Sequence, residues 1–290
     1  MFQGSFVALV TPFKNGKIDE DALKNLIEFQ VANGTNGIVP CGTTGEAATL
    51  SIEEHNQVVD IAVGTVNGRI PVIAGTGSNS TKEAIKMTIH AKETGANAAL
   101  LITPYYNKPS QEGLYQHFKK IAGDVDIPII VYNVPGRTSV NMLPATTARL
   151  SEIKNIVGIK EASGNLQQVS ETIKLCGENF SVISGDDANT LPIMSVGGKG
   201  VISVTANIAP DKIAALCKAC LDENFSEARK LHYELLDLNI GMFIETSPGP
   251  VKTALFLMGK VTDEVRLPLA PMNNANLSTL KSLLKKSGLV

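Results

Sequence analysis

The chain has 290 residues, of which 43% are hydrophobic and 19% charged, enough apolar content for a large core and the wrong balance for a disordered chain. With 26 Lys and Arg against 28 Asp and Glu the formal net charge is −2, which argues against a protein that grips nucleic acid through its phosphates. No apolar run reaches the roughly 18–20 residues of a membrane span, and Pro12 ends a short N-terminal apolar stretch that no basic segment precedes. Neither a transmembrane helix nor a signal peptide is expected, and the chain reads as cytoplasmic.

Short apolar, β-branched runs recur along the chain, at residues 6–10, 37–40, 71–74, 98–102, 127–131, 156–159, 181–183 and 200–204. Their mean spacing of about 28 residues is the period of a βα unit. The runs are continuously apolar rather than alternating, as parallel strands covered on both faces require. Helical signals fill the gaps. Asp19 is placed to cap a helix bearing Leu23, Leu26 and Ile27 on one face, with Gly34 after it. Ser51 with Glu54 and Ser80 with Glu83 read as capping boxes, Gly95 closes the second of these helices, and Asn165 caps a helix that ends at Gly177. Eight strands alternating with helices predict an α/β chain folded as a (β/α)8 TIM barrel. An open doubly wound sheet is the alternative, but no strand leads into G-x-G-x-x-G.

The eighth run ends near Thr205. A helix over 210–221 completes the barrel, and helices over 226–243, 249–258 and 277–286 form a small C-terminal helical extension. The expected division is a catalytic barrel domain at 1–224 and the extension at 225–290. In the last helix Leu277, Leu280, Leu283 and Leu284 make an apolar stripe, with Lys281, Lys285 and Lys286 as its solvated face. Four cysteines (Cys41, Cys176, Cys217, Cys220) do not make a disulfide framework, and Cys217 and Cys220 read as small buried helix residues. His55, His90, His117 and His232 are not at metal-ligand spacing, so no metal site is predicted.

In barrels of this kind chemistry sits at the C-terminal ends of the strands. Lys160 follows Ile156, Val157 and Ile159 on a central strand. A buried ammonium loses hydration, its proton affinity falls, and the neutral amine can attack a carbonyl to form an imine. The other reading is a strand-end lysine that snorkels to water or pairs with Glu161. Tyr132 and Tyr106 could carry protons for an imine mechanism, relayed by the hydroxyl of Thr43; otherwise both pack at a rim. Thr43 and Thr44 lie in a glycine-flanked turn whose N–H groups could hold a carboxylate. Arg137, after Pro135-Gly136, could grip a carboxylate through two hydrogen bonds, or stand as a surface arginine.

Three strings carry more together than alone. Gly-Thr-Thr-Gly-Glu at 42–46, Tyr-Asn-Val-Pro-Gly-Arg-Thr at 132–138 and Gly-Ile-Lys-Glu-Ala-Ser-Gly at 158–164 closely resemble the signatures of the dihydrodipicolinate synthase family. The resemblance runs from residues 4–13 to Pro-Val-Lys at 250–252. It implies a (β/α)8 barrel with a helical extension, assembled as a homotetramer built from two tight dimers. It implies that pyruvate forms a Schiff base with Lys160 and that the enamine attacks L-aspartate 4-semialdehyde, on the branch toward diaminopimelate and lysine. By the same likeness Tyr132, Thr43 and Tyr106 form a proton relay, with Tyr106 reaching into a neighbouring subunit's site. Thr43 and Thr44 would hold the pyruvate carboxylate, and Arg137 the semialdehyde carboxylate. Gly185 and Ile202 would line the pocket, and no metal or organic cofactor is implied. A lysine feedback site would match Ala48, His55, Asn79, Glu83 and Tyr105. Ala47 stands where many lysine-sensitive members have Ser, and Ile52 where several have His. Two rivals remain at this stage: a sister lyase that cleaves keto-deoxy sugar acids or N-acetylneuraminate, and a non-catalytic barrel that senses pyruvate or lysine.

Overall fold

Each apolar run predicted above overlaps a strand in the computed structural model, which describes residues 1–290. In chain order these are β1 (Gly4–Ala8), β4 (Gly37–Val39), β5 (Ile73–Gly75), β6 (Ala98–Ile102), β7 (Ile129–Asn133), β8 (Ile156–Glu161), β9 (Ser181–Ser184) and β10 (Gly200–Ser203). The sequence reading missed a two-stranded antiparallel hairpin, β2 (Phe13–Lys14) with β3 (Lys17–Ile18), whose strands are too short to show a hydrophobic period.

The eight long-range strands pair in parallel in the order β4-β1-β10-β9-β8-β7-β6-β5. The ends of that order meet at a thin seam. One bridge joins Ile38 to Val72, the Ile38 N–H donates to the Pro71 carbonyl at 3.0 Å, and the Gly75 N–H donates to the Pro40 carbonyl at 2.9 Å. The ring is thereby a (β/α)8 barrel.

Helices α1 (Glu20–Ala32), α2 (Ile52–Val66), α3 (Thr81–Thr94), α4 (Gln111–Asp124), α5 (Pro135–Thr138), α6 (Pro144–Ser151), α7 (Leu166–Cys176), α8 (Thr190–Ser195) and α9 (Pro210–Leu221) follow in turn. Then come α10 (Phe225–Gly241), α11 (Gly249–Leu257) and α12 (Asn274–Lys286). The Asp19 and Asn165 caps form, and Ser51 with Glu54 makes a complete capping box. The predicted box at Ser80 is only half made. Ser80 Oγ accepts from the Glu83 N–H, but the Glu83 carboxylate accepts from Ser78 Oγ at 2.8 Å instead of reaching back to the cap. Ser78 Oγ also accepts from the Ser80 N–H at 3.0 Å, so the donor that Glu83 would have reached back to is already satisfied.

Phe6, Val39, Ile73, Ile130, Ile183 and Ile202 fill the lumen, while two larger apolar clusters lie between strands and helices. Leu235, Leu238, Val251, Leu255, Leu280 and Leu284 of the C-terminal helices belong to the same cluster as Val7, Leu9 and Ile38 of the barrel. Cys217 and Cys220 are buried on α9, and Lys281, Lys285 and Lys286 are exposed. No helix is long and apolar enough to cross a membrane.

One irregularity bears on the site. Ile129 pairs with Ile156, but Ile130 pairs with Gly158, so β8 carries one extra residue at Val157. Regular pairing from Ile156 would set Lys160 beside Asn133, on the outer face. The bulge shifts the phase and sets Lys160 beside Tyr132, on the inner face.

Candidate active site

Residues in register on adjacent strands project to the same side of a sheet. Tyr132, Lys160 and Ile183 are such a row across β7, β8 and β9, and Tyr132 and Ile183 belong to the lumen cluster. Lys160 is 6% exposed, with its Nζ 4.2 Å from the centroid of the Tyr132 ring. Burial pulls its amine down to about 8; the Asp187 carboxylate opposes that fall and the Arg137 guanidinium adds to it. The lysine neither snorkels nor pairs with its neighbour. Glu161 faces the other side, where its carboxylate accepts from Asn133 Nδ2 at 3.1 Å, Gln168 Nε2 at 3.2 Å and the Ser163 N–H at 2.7 Å.

Burial pushes the Tyr132 phenol up to about 12, with Arg137 and the Thr43 side chain pulling the other way. The phenol is therefore protonated at neutral pH and is flanked by a cation and a hydroxyl, a donor that can give a proton and recover it. Thr43 and Thr44 sit in the predicted turn after β4. The Gly45 N–H donates to the Gly42 carbonyl and the Glu46 N–H to the Thr43 carbonyl, both at 3.1 Å, while the N–H groups of Thr43 and Thr44 bond to no acceptor within the protein. Two adjacent free N–H groups suit a carboxylate. Arg137 lies on the short α5, exposed, and donates from Nη2 to the Ser247 carbonyl at 3.3 Å.

Gly185 follows β9, and its N–H donates to the Glu161 carbonyl at 2.8 Å. A Cβ at this position would stand 3.0 Å from Lys160 Cε, 3.1 Å from Lys160 Cγ and 2.9 Å from Ala162 Cβ. The glycine thus gives the lysine stem its room. Gly185→Ala is expected to displace the amine and lower kcat by about 10- to 100-fold with the circular dichroism unchanged; wild-type turnover in that variant would show that the spacing is immaterial. Ile202 is buried in the lumen on β10.

Asp186-Asp187, after the seventh apolar run, stands at the mouth expected from the sequence, which assigns Asp187 no role. It is 1% exposed and accepts from Ser203 Oγ, from the Val204 N–H at 2.9 Å and from the Thr205 N–H at 3.4 Å. Burial raises its pKa and those three donors resist the rise. It is the carboxylate whose field moderates the drop at Lys160.

A cavity of about 540 Å³ opens beside this group. Thr43, Tyr132 and Arg137 line one part, and Ala48, His55, Glu83 and Tyr105 another. Lys160 is not among its walls, but its Nζ lies against the ring of Tyr132, which is. His55 Nε2 is bonded to the Gly75 carbonyl at 2.7 Å. Asn79 is not a wall either; its carbonyl accepts from Asn107 Nδ2 at 2.9 Å. Tyr106 stands apart from Tyr132 and Thr43: it is 90% exposed and its φ of 69° is left-handed, an unusual conformation for an aromatic residue. Within one chain the structure brings together Lys160, Tyr132, Thr43, Arg137 and Gly185, and leaves Tyr106 in solvent.

Comparison with known proteins agrees in every region of the chain. A 4-hydroxy-tetrahydrodipicolinate synthase from Citrifermentans bemidjiense is 61% identical over 290 residues, the whole of both chains. The crystal structure of the chloride-inhibited dihydrodipicolinate synthase from Acinetobacter baumannii complexed with pyruvate superposes with a TM-score of 0.98 at 48% identity, covering 100% of each chain. That of DHDPS from Cyanidioschyzon merolae with lysine bound superposes at 0.97 and 39% identity, covering 100% of this chain and 99% of that one. Residues 1–287 match the Dihydrodipicolinate synthetase family, and with the barrel, the buried lysine and the threonine turn in place, the chain belongs to that family.

Proposed function

We propose that this chain is a lyase that condenses pyruvate with L-aspartate 4-semialdehyde to 4-hydroxy-tetrahydrodipicolinate, on the route to diaminopimelate and lysine, in the cytoplasm. The carrying observation is a buried amine near pKa 8 in register with a buried phenol. Neutral Lys160 attacks the pyruvate carbonyl carbon, and the carbinolamine loses water with a proton supplied through Tyr132. Loss of a methyl proton gives the enamine, whose carbon attacks the aldehyde while the new alkoxide takes a proton. The amine of the semialdehyde then adds to the imine carbon, closes the ring and expels Lys160, so that one water leaves per turnover. The Thr43 and Thr44 N–H groups receive the pyruvate carboxylate, and Arg137 receives that of the semialdehyde, a group that the polyol substrates of sister lyases lack at this place.

Borohydride reduction in the presence of pyruvate tests this reading. A pyruvate-derived adduct is expected on Lys160 by mass mapping, and no adduct would favour a sensor instead. With a pKa of about 8, roughly one amine in ten is neutral at pH 7. The initial rate of imine formation is therefore expected to rise nearly tenfold per pH unit below 8 and to level above it; a flat profile from pH 6 to 9 contradicts the role given to the amine.

The assembly we infer is a homotetramer made of two dimers, in which Tyr106 completes the relay of a second copy. Its exposure and left-handed backbone support that reading. L-Lysine is the proposed effector. The Glu83 carboxylate is free of its cap and faces the cavity with His55, Tyr105 and Ala48, and Asn79 would contribute from the rim. Moderate inhibition at millimolar lysine is expected, weakened by Ala47 and Ile52, and a titration with no effect sinks the effector.

A further inference from the structure

The turn that carries Thr43 and Thr44 ends in Glu46, whose carboxylate does not face the lumen. Glu46 Oε1 meets Lys252 Nζ of α11 at 2.6 Å, with the two side chains 1% and 0% exposed, and Glu46 Oε2 accepts from the Arg266 N–H at 3.0 Å. Both oxygens of a residue at the N-terminal quarter of the barrel are thus held by the last part of the chain. Both cations lie over the Phe13 ring, Lys252 Nζ at 4.3 Å and the Arg266 guanidinium carbon at 4.2 Å from its centroid. Arg266 also donates to the Thr49 carbonyl at 3.0 Å and to both oxygens of Glu54 at 2.6 Å. Glu46 itself has a left-handed φ of 54°, so the turn is held in a conformation that a free loop would relax.

We infer that the buried Glu46–Lys252 pair makes the C-terminal segment a positioning clamp for the Thr43–Thr44 turn, so that the far end of the chain sets how well the barrel binds the keto-acid carboxylate. The inference deepens the function proposed above, since it concerns the same carboxylate. Glu46 and Lys252 touch no substrate; they act through the turn. The Glu46 N–H bond to the Thr43 carbonyl is the direct mechanical link between clamp and binding groups.

Either single change, Glu46→Gln or Lys252→Met, strands one charge inside the protein and is expected to lower the folded fraction. The double variant E46Q/K252M removes both charges at nearly constant volume and is the informative protein. Two readouts are needed: amide exchange by mass spectrometry over residues 42–50, and the pyruvate concentration that half-saturates borohydride trapping. The clamp predicts, in the folded double variant, several-fold faster exchange over 42–50 with residues 127–133 unchanged, and a half-saturation raised at least fivefold. A merely structural pair predicts wild-type values of both once the fold is restored, and that result overturns the inference. Faster exchange with an unchanged half-saturation overturns it too, because the turn would then move without consequence for the carboxylate. Should the wild-type protein form no adduct at all, the proposed function fails, while the exchange comparison still decides whether the clamp holds the turn.

Discussion

Lys160→Ala is expected to lower turnover by at least about 10⁴-fold, because it deletes the nucleophile and with it the covalent route that splits the condensation into easier steps. No other lysine stands in for it. Lys252, the only other buried lysine, is held against Glu46. The same change should not harm the fold. The amine falls from about 10.5 free to about 8 when folded, so the folded state binds the proton more weakly. Stability is unpenalised above the free value and decreases as the pH drops toward the folded value, leaving a penalty of about 3 kcal/mol at neutral pH. Lys160→Met, which keeps the stem, is therefore expected to raise Tm at pH 7 while leaving no activity. An inactive variant with a lower Tm would contradict the desolvation argument, and an active one would end the imine mechanism.

Tyr132→Phe comes second, with an expected loss in kcat of about 10²- to 10³-fold. The ring that lies 4.2 Å from Lys160 Nζ is retained, so packing around the amine is preserved and only the proton carrier is lost. The signature is a split between two measurements. Steady-state turnover should collapse, whereas prolonged incubation with pyruvate and borohydride should still label Lys160, since water can slowly replace the phenol. Turnover within about threefold of wild type would remove Tyr132 from the mechanism.

Much of this was legible in the sequence, for identifiable reasons. Parallel strands covered on both faces leave continuous apolar runs, so the eight strands and their period could be counted directly. That same continuity hid which way each side chain points. Nothing in Ile156-Val157-Gly158-Ile159 announces the extra residue at Val157, and Lys160 was identified by its burial and its motif rather than by the face it occupies. Asp187 and Glu46 are visible at the barrel mouth in the sequence but without roles, because their partners, Ser203 and Lys252, are set by tertiary folding and not by local spacing. Glu83 was misassigned to its helix cap because a capping pattern cannot register a competing hydroxyl at Ser78.

The thin seam between β4 and β5 makes the barrel a hoop with a clasp. The far wall, where β7 and β8 share a ladder over five register pairs, is the stiff side, and it carries the lysine and the phenol. The clasp, with its single bridge, borders the space that runs from Tyr132 to His55 and Glu83. A molecule lodged behind the clasp would touch Thr43 and Tyr132 directly, whereas Lys160 lies outside the wall it would press on.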